Sequence, residues 1–281
     1  MTSKRKVAVI TGAARGMGRA FSVALAKQDI DIIGIDILSD LSTIAEYEKS
    51  TEEDFLITKE MVEKEGVNFH YYQSDIRDQQ LLIEIAGGIE RQFGKVDIII
   101  ANAGLQAFSP FLESTQQHWD DIIDTNVKGT VHTLKAFLPL MIPNRTGKVV
   151  IISSTQGMRG MWNGSAYSAT KWALIGLAKS MALEMGEYNI NVNVVVPGLI
   201  DTKLTRNQKR WQVAMGKGYE NKVVSEKEVA DRLSKNDALG LPWLRAEDVA
   251  PTVVFLTSSA ADKITGAVYD VAGGTSAIYT S

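Results

Sequence analysis

The sequence predicts an α/β protein in which helices cover both faces of a doubly wound parallel sheet. Short runs of β-branched residues alternate with segments whose apolar residues recur at helical spacing. Several of these runs, including residues 98–100 and 149–152, are apolar at every position, which is typical of strands buried between two layers of helices. We therefore expect three layers, α/β/α, around seven parallel strands.

The seven predicted strands share β-branched or aromatic residues and are bounded by turn signals. They comprise residues 7–10, 32–35, 69–73, 96–101, 149–152, 192–196 and 267–270. The local signals are clearest in the helix that follows the second strand. Thr51 is a plausible N-cap, and the acidic residues 52–54 oppose the positive end of the helix dipole. Phe55, Thr58 and Val62 would then face the sheet.

Two long stretches, residues 37–50 and 199–245, do not fit the short connections of a compact α/β fold. We expect residues 1–281 to form a single domain, with residues 37–50 inserted after the second strand and residues 199–245 forming a lid over a ligand site. The alternative for the insertion is a surface loop or a subunit contact.

Composition and charge exclude several functional classes. The chain has 30 Lys and Arg against 33 Asp and Glu, a formal charge of −3, so it has no basic excess for nucleic acid or anionic lipid. It has no cysteine, and its three histidines (His70, His118 and His132) lack the spacing of metal ligands. Its apolar runs are too short to cross a bilayer. We expect a cytoplasmic protein without a metal site, a nucleic-acid partner or a membrane partner.

A glycine-rich turn directly follows the first predicted strand and has the sequence Thr11-Gly12-Ala13-Ala14-Arg15-Gly16-Met17-Gly18. Glycines let the chain turn tightly and let backbone N–H groups approach a pyrophosphate at the start of the next helix, where the helix dipole favours an anion. Such turns are common between strands and helices, so the spacing alone is a weak indication of phosphate binding.

Asp36, at the end of the second predicted strand, strengthens the case for a dinucleotide. A carboxylate there can accept hydrogen bonds from both ribose hydroxyls of an adenosine, and it would repel the 2′-phosphate of NADP. Arg15 favours the opposite choice, because it could pair with that phosphate, although it is equally compatible with a pyrophosphate contact or a solvated side chain. Ile37 supplies no second cation beside Asp36. The sequence therefore favours NAD over NADP.

Tyr167 and Lys171 lie one turn apart on a predicted helix, at positions i and i+4. A phenol has a reference pKa near 10, and a neighbouring ammonium favours its phenolate form, so this pair suits proton transfer. An ordinary pair on an amphipathic helix is the alternative. Ser154 ends the fifth predicted strand, at the edge where doubly wound sheets bind ligands. Asn126 lies inside a predicted helix, where a buried Asn that bends the helix is the alternative.

The sequence resembles the short-chain dehydrogenase/reductase family in a set of motifs that occur in the family's order. These motifs are Thr11-Gly12-x3-Gly16-x-Gly18, Asn102-Ala103-Gly104, Asn126, Ser154, Tyr167-x3-Lys171 and Pro197-Gly198. The resemblance extends over residues 7–274. It implies a Rossmann-like seven-stranded sheet, often in a homotetramer, that interconverts alcohols and ketones with NAD or NADP.

The resemblance also implies roles for individual residues. Tyr167 would be the general acid/base, Ser154 would hydrogen-bond the substrate oxygen, Lys171 would lower the pKa of Tyr167 and hold the nicotinamide ribose, and Asn126 would position a water for proton relay. The implied cofactor contacts extend from adenine to the carboxamide. They comprise Gly12, Arg15, Gly16, Met17, Gly18, Asp36, Ile37, Asp75, Ile76, Asn102, Ala103, Gly104, Tyr167, Lys171, Pro197, Gly198, Ile200 and Thr202.

A narrower resemblance points to the carveol-dehydrogenase-like, mycofactocin-associated branch of the family. It rests on the insertion at residues 37–50, the form of the turn at residues 13–19, and Leu241-Pro242-Trp243 before Glu247-Asp248-Val249. The branch implies NAD that does not exchange freely. An insertion beside Asp36 would cover the adenosine end of NAD and slow its release.

The lid and the segment after the fifth strand supply apolar and aromatic candidates for a substrate pocket. The predicted substrate residues are Ser154, Gln156, Met161, Trp162, Leu199, Leu204, Trp211 and Met215. They contain no cluster of arginines, so a hydrophobic secondary alcohol, such as a cyclic terpenoid, fits better than a charged metabolite. The alternative is that these side chains only pack on the sheet or on a neighbouring subunit.

Three functions remain open at this point. The favoured one is an NAD-dependent secondary-alcohol dehydrogenase. The second is an NADP-dependent ketone or ketoacyl reductase, which Asp36 disfavours. The third is a non-catalytic dinucleotide-sensing module that binds partners. Such a module could lose the proton-transfer residues, yet Ser154, Tyr167 and Lys171 are all present.

Overall fold

The computed structural model describes residues 5–39, 42, 44–45 and 47–277. Within them, seven strands form one parallel sheet: β1 (Lys6–Thr11), β2 (Ile30–Asp36), β3 (Phe69–Gln73), β4 (Ile98–Ala101), β5 (Gly147–Ile152), β6 (Ile190–Pro197) and β7 (Val268–Val271). The strand order is β3-β2-β1-β4-β5-β6-β7. The predicted strands and their parallel pairing are confirmed, with boundaries that shift by at most two residues.

The helices lie between the strands along the chain. They are α1 (Gly16–Ala26), α2 (Glu52–Glu63), α3 (Gln79–Phe93), α4 (Gln116–Ile123), α5 (Gly129–Phe137), α6 (Ser165–Met185), α7 (Gln208–Met215), α8 (Glu226–Asn236) and α9 (Ala246–Thr257). A π-helical turn, Asp124–Lys128, joins α4 to α5. Helices α7 and α8 belong to the predicted lid and pack against each other.

The apolar side chains form a core on each face of the sheet. Along β1, Val7 and Val9 join the core under α3, α5 and α6, whereas Ala8 and Ile10 join the core under α1, α2 and α9. This alternation follows from the two-residue period of a strand. All four side chains are inaccessible to solvent, which explains why the strand sequence is apolar on both faces.

The start of α2 confirms the predicted capping. Thr51 Oγ1 accepts a hydrogen bond from the Asp54 N–H, and the Asp54 carboxylate accepts one from the Thr51 N–H at 3.1 Å. This reciprocal pair is a capping box. Phe55, Thr58 and Val62 are buried, as their helical spacing predicts. The cap fixes the chain where it leaves the insertion and returns to the sheet.

The strand order reverses between β1 and β4. From β1 the chain proceeds outward to β2 and β3, and it then returns to β4 and continues to β7 in the opposite direction. Because the strands are parallel, their carboxyl ends meet at one edge, and the reversal opens a crevice there. In the part of the chain that the structure describes, no helix is both long enough and apolar enough to span a membrane.

Replacing Thr51 by Ala is expected to lower the free energy of unfolding by about 1 kcal/mol, because the first turn of α2 loses its side-chain acceptor. Urea unfolding at a fixed protein concentration measures the change. Glu65→Ala is the control, since Glu65 is exposed just beyond α2. Equal unfolding midpoints for Thr51→Ala and wild type would contradict the role given to the cap.

Candidate active site

A cavity of about 1040 Å³ opens at the carboxyl edge of the sheet, at the reversal between β1 and β4. Its volume lies at the upper end of the range of about 300–1,000 Å³ that is usual for small-molecule sites. The ends of β1, β2, β4, β5 and β6 form its floor, and the insertion (37–50) and the lid (199–245) form its walls. The space connects the glycine turn to Tyr167.

The glycine turn is shaped by close backbone approaches. Gly12 has a φ of +66°, and a Cβ there would lie 2.9 Å from Asn102 Nδ2 and 3.0 Å from Ala103 Cα. At Gly18, a Cβ would lie 1.9 Å from the carbonyl oxygen of Gly12. Larger residues at either position would push α1 away from the sheet. The start of α1 is thereby held at the edge of the cavity.

Helix α1 begins without a side-chain cap, because Arg15 occupies the N-cap position and its side chain makes no capping bond. The first N–H groups of the helix therefore face the cavity edge, where they favour an anion. The Arg15 guanidinium points instead to the insertion. It donates to the carbonyl oxygens of Lys49, at 2.8 Å, and Glu48. This contact with the insertion was not among the roles that the sequence left open for Arg15.

The Asp36 carboxylate lies at the end of β2 and is held by three donors. It accepts hydrogen bonds from the N–H groups of Ala14 at 3.0 Å and Ile37 at 2.9 Å, and from the Ser50 hydroxyl at 2.6 Å. A carboxylate has about four acceptor sites, so about one remains for a ligand hydroxyl. The insertion, through Ser50, thus takes part in fixing the group that faces the expected adenosine.

The insertion extends further along the cavity than the sequence predicts. Besides Asp36 and Arg15, it contacts the lid, where Lys203 Nζ lies 2.7 Å from Glu48 Oε2. Tyr47 lines the cavity, and burial raises the pKa of its hydroxyl to about 12. The Tyr47 hydroxyl is hydrogen-bonded to the backbone of Gln106, and Tyr47, Gln106 and Tyr167 all line the cavity, so this segment extends beyond the expected adenosine end.

Ser154, Tyr167 and Lys171 come together as the sequence predicts. Ser154 follows β5, and its Oγ accepts a hydrogen bond from the Gln156 N–H at 3.2 Å. Lys171 Nζ donates to the carbonyl oxygen of Ile152 at 3.0 Å and lies 5.7 Å from the centroid of the Tyr167 ring. The Ser153 hydroxyl donates to the Lys171 carbonyl at 2.8 Å, which ties α6 to the end of β5.

The electrostatics of this group depend on burial and on several neighbours. Burial raises the pKa of the Tyr167 hydroxyl, whereas hydrogen bonding with Ser154, the charge of Arg210 and hydrogen bonding with Gln106 lower it. Lys171 Nζ is directed at the Ile152 carbonyl, and burial lowers its own pKa to about 8. The predicted effect of Lys171 on the pKa of Tyr167 stays a prediction, and Arg210 is a further cation that acts on this phenol.

Asn126 lies in the π-helical turn, and its amide is bonded on both sides. Its Oδ1 accepts from the Leu105 N–H at 2.7 Å, and its Nδ2 donates to the Leu105 carbonyl at 2.9 Å and to Thr170 Oγ1 at 3.1 Å. Asn126 is buried and does not line the cavity. It joins the segment after β4 to α6 and thereby positions Gln106 beside Tyr167. The predicted contact with a relay water stays a prediction.

Most of the predicted cofactor residues line the cavity. These are Gly12, Arg15, Gly16, Met17, Asp36, Ile37, Asp75, Ile76, Asn102, Ala103, Gly104, Tyr167, Pro197, Gly198, Ile200 and Thr202. Gly18 and Lys171 are not among the lining residues, and both are buried; Lys171 Nζ would lie 3.6 Å from a Cβ on Gly104, which does line the cavity. The Asp75 carboxylate lies 2.6 Å from Arg77 Nη2, an ion pair that the sequence did not predict.

The predicted substrate residues divide into two groups. Ser154, Gln156, Met161, Leu199 and Leu204 line the cavity. Trp162, Trp211 and Met215 are not among the lining residues, and their contact with substrate stays a prediction. In α7 the buried residues are Arg210 and Val213, and both line the cavity. Trp162 follows β5 in a turn that leaves 40% of its surface exposed.

Three arginines that the sequence did not indicate as site residues line the cavity: Arg19, Arg159 from the segment after β5, and Arg210 from α7. The predicted substrate residues include no arginine, so they leave out Arg159 and Arg210. Arg210 lies within the predicted lid, and this position was the only sequence signal for a place in the cavity wall. The sequence does not indicate which side of the helix faces the cavity. Among the described residues, no group of three or more His, Asp or Glu side chains could hold a metal ion.

Comparison with known proteins agrees with this geometry. The family model for short chain dehydrogenases matches residues 6–213. The chain is 34% identical over 273 residues to (-)-trans-carveol dehydrogenase of Rhodococcus erythropolis, an alignment that covers 96% of this chain and 97% of that protein.

Two solved structures extend the likeness to three dimensions. Carveol dehydrogenase from Mycobacterium avium in complex with NAD has a TM-score of 0.91 and 32% identity, covering 98% of this chain and 99% of that one. A short chain dehydrogenase from Mycobacterium paratuberculosis bound to NAD has a TM-score of 0.87, again at 32% identity, covering 97% and 98%. The family match, the near-complete alignments and the assembled Ser154, Tyr167 and Lys171 together show that the chain belongs to the short-chain dehydrogenase/reductase family.

Proposed function

We propose that this protein is an NAD-dependent oxidoreductase that interconverts a secondary alcohol and its ketone. The observation that carries the proposal is the position of Tyr167, which pairs with Ser154 in the same cavity that the glycine turn and Asp36 enter. Nucleotide binding alone does not require the buried Tyr167 phenol beside the Ser154 hydroxyl at the carboxyl edge of the sheet. The pairing is what a proton-transferring dehydrogenase requires.

The residues at the turn fit a dinucleotide. Gly16 has a φ of +56°, and a Cβ there would lie 3.2 Å from Thr202 Cγ2, inside the space between turn and lid. Only glycine leaves that space open to a pyrophosphate lying on the start of α1. NAD, when bound, accepts a hydride at C4 of its nicotinamide ring. The NAD complexes of the two similar structures support this choice of cofactor.

Two side chains favour NAD over NADP. The Asp36 carboxylate would face the 2′-phosphate of NADP, and two like charges so close repel each other strongly. Arg15, the nearest candidate to neutralise that phosphate, already donates to the carbonyls of Glu48 and Lys49. Binding NADP would require the insertion to release this arginine.

The chain's own residues can complete the proton transfer. Ser154 Oγ accepts the Gln156 N–H, so its own proton is available to the substrate oxygen. Lys171 Nζ uses one proton for the Ile152 carbonyl and keeps two for the ribose hydroxyls. In the oxidation direction, Tyr167 as the phenolate takes the hydroxyl proton while the hydride leaves the carbinol carbon, and reduction reverses both transfers.

The wall of the cavity near Tyr167 suits an apolar carbon skeleton. Met161, Leu199, Leu204 and Val213 line it. The similarity to (-)-trans-carveol dehydrogenase supports a cyclic or terpenoid-like secondary alcohol. We therefore propose that the reacting carbinol belongs to such a skeleton.

The proposal extends to assembly and location. We propose a cytoplasmic homotetramer formed by residues 1–281 as a single domain, as the family resemblance implies. On α6, Trp172 and Leu183 expose 47% and 85% of their surface, and a subunit interface would cover such apolar groups.

Tyr167→Phe is expected to lower kcat for oxidation of cyclic secondary alcohols with NAD by at least about a hundredfold, because proton acceptance is lost. Initial rates over a panel of cyclic alcohols measure the effect. Tyr188→Phe, in the turn just beyond α6 and outside the cavity, is the control and is expected to retain full activity. Equal rates in Tyr167→Phe and wild type would refute the assigned chemistry.

Asp36→Asn is expected to lower the ratio of kcat/KM for NAD to that for NADP at least about tenfold, since the repulsion of the 2′-phosphate disappears while the side chain keeps its size. Titration of both nucleotides measures the ratio. Asp29→Asn removes a carboxylate just before the opposite end of β2 and is expected to leave the ratio unchanged. A wild type that prefers NADP would rule out the proposed cofactor.

A further inference from the structure

Arg210 is a buried cation in the wall of the cavity. Its side chain comes from α7, and the residue exposes only 7% of its surface. Its Nε has no hydrogen-bond partner among the described residues. A guanidinium in such a place normally has an anion opposite it, because an uncompensated buried charge is costly.

The surroundings of Arg210 position it without neutralising it. Its guanidinium carbon lies 5.8 Å from the centroid of the Phe108 ring, a contact that orients the group but supplies no acceptor. Arg159, another arginine that lines the cavity, adds positive charge nearby. The described carboxylates that line the cavity are bound to other groups. Asp201 pairs with Arg206, Asp75 with Arg77 and Asp54 with Arg19, whereas Asp36 and Asp237 accept from backbone N–H groups.

Arg210 also lies close to the reacting group. Its charge lowers the pKa of Tyr167, and the Tyr167 phenolate in turn would raise the pKa of Arg210, which burial lowers to about 10. Both groups line one cavity, so a single substrate can contact them together. The Arg210 guanidinium and the Tyr167 hydroxyl can thus contact the same substrate molecule.

We propose that the substrate carries a carboxylate and that Arg210 binds it, so that the protein acts on hydroxy acids or keto acids with an apolar skeleton. The planar guanidinium matches a carboxylate with two parallel hydrogen bonds. Met161, Leu204 and Val213 contact the rest of the molecule. This inference rests on the proposed function and narrows its substrate class.

The chemistry of the step is unchanged by the carboxylate. The C–H bond of the carbinol breaks and its hydride passes to NAD, the hydroxyl proton passes to the Tyr167 phenolate, which becomes the phenol, and the ketone and NADH result. The carboxylate neither gains nor loses atoms or electrons. Arg210 is a binding residue that fixes which end of the substrate faces Tyr167, and it thereby sets the preference between an acid and its neutral ester.

The test compares matched acids and methyl esters. The probes are 3-hydroxycyclohexanecarboxylate, 4-hydroxycyclohexanecarboxylate and mandelate, each with its methyl ester, assayed with NAD in wild type, Arg210→Met and Lys209→Met. Wild type is expected to favour at least one acid over its ester by tenfold or more in kcat/KM. Arg210→Met is expected to abolish this preference through a higher KM for the acid. Lys209→Met removes a charge from the adjacent position, outside the cavity, and is expected to behave as wild type.

A binding measurement supplies a second readout. Calorimetric titration of the enzyme–NAD complex, in which a ketone cannot be reduced, with 3-oxocyclohexanecarboxylate or its 4-oxo isomer is expected to show at least tenfold weaker binding in Arg210→Met, with the methyl esters unaffected. Arg210→Lys keeps the charge without the planar fork and is expected to bind the acid with intermediate affinity. Arg210→Lys also replaces Arg210→Met in the test if Arg210→Met does not fold.

The outcomes separate this inference from the proposed function. Turnover of esters as fast as acids by the wild type would overturn the carboxylate site and leave the dehydrogenase proposal standing. An equal loss of kcat for acid and ester in Arg210→Met, with a shifted pH profile, would also overturn it, because Arg210 would then act only on Tyr167. If the wild type oxidises none of the probes, the proposed function fails for these skeletons. In the binding measurement, equal affinity of the wild type for acid and ester would overturn the carboxylate site.

Discussion

Thr11 and Asn102 hold the two halves of the sheet together at the point where the strand order reverses. Thr11 Oγ1 accepts the N–H groups of Asn102 and Ala103, both at 3.1 Å, and Asn102 Nδ2 donates to the carbonyls of Thr11 at 2.9 Å and Gly12 at 3.2 Å. The glycine turn and the end of β4 are therefore fixed to each other. The cavity, the start of α1 and the segment that carries Gln106 all depend on this junction.

The insertion and the lid meet over the cavity and link its two ends. Ser50 holds Asp36, the carbonyls of Lys49 and Glu48 hold Arg15, and Glu48 pairs with Lys203 of the lid. The last contact is exposed, so its contribution to stability is small. The buried and backbone contacts matter more, because they tie the choice of nucleotide at Asp36 to the same segment that brings Tyr47 toward Tyr167.

The fold and the central residues of the site could be predicted from the sequence because they depend on local patterns. Continuous apolar runs fix buried parallel strands, and spacing within one helix fixes the relation of Tyr167 to Lys171. The position of Arg210 could not be predicted. Helix α7 has eight residues, of which half are polar, so its rotation is set by packing against the cavity and not by its own periodicity. The hydrogen bonds of Asn126 and the direction of the Lys171 ammonium likewise depend on segments distant in the chain.

Because of the π-helical turn at Asp124–Lys128, the orientation of α5 depends on the number of residues in this region as much as on their identity. A wide turn takes up an additional residue, and in a helix of 3.6 residues per turn one residue corresponds to a rotation of about 100°. A chain shortened by one residue here could form an unbroken helix, but α5 would turn Leu134 and Phe137 away from the sheet. Among natural relatives, this stretch should therefore tolerate exchange of side chains far better than gain or loss of a residue.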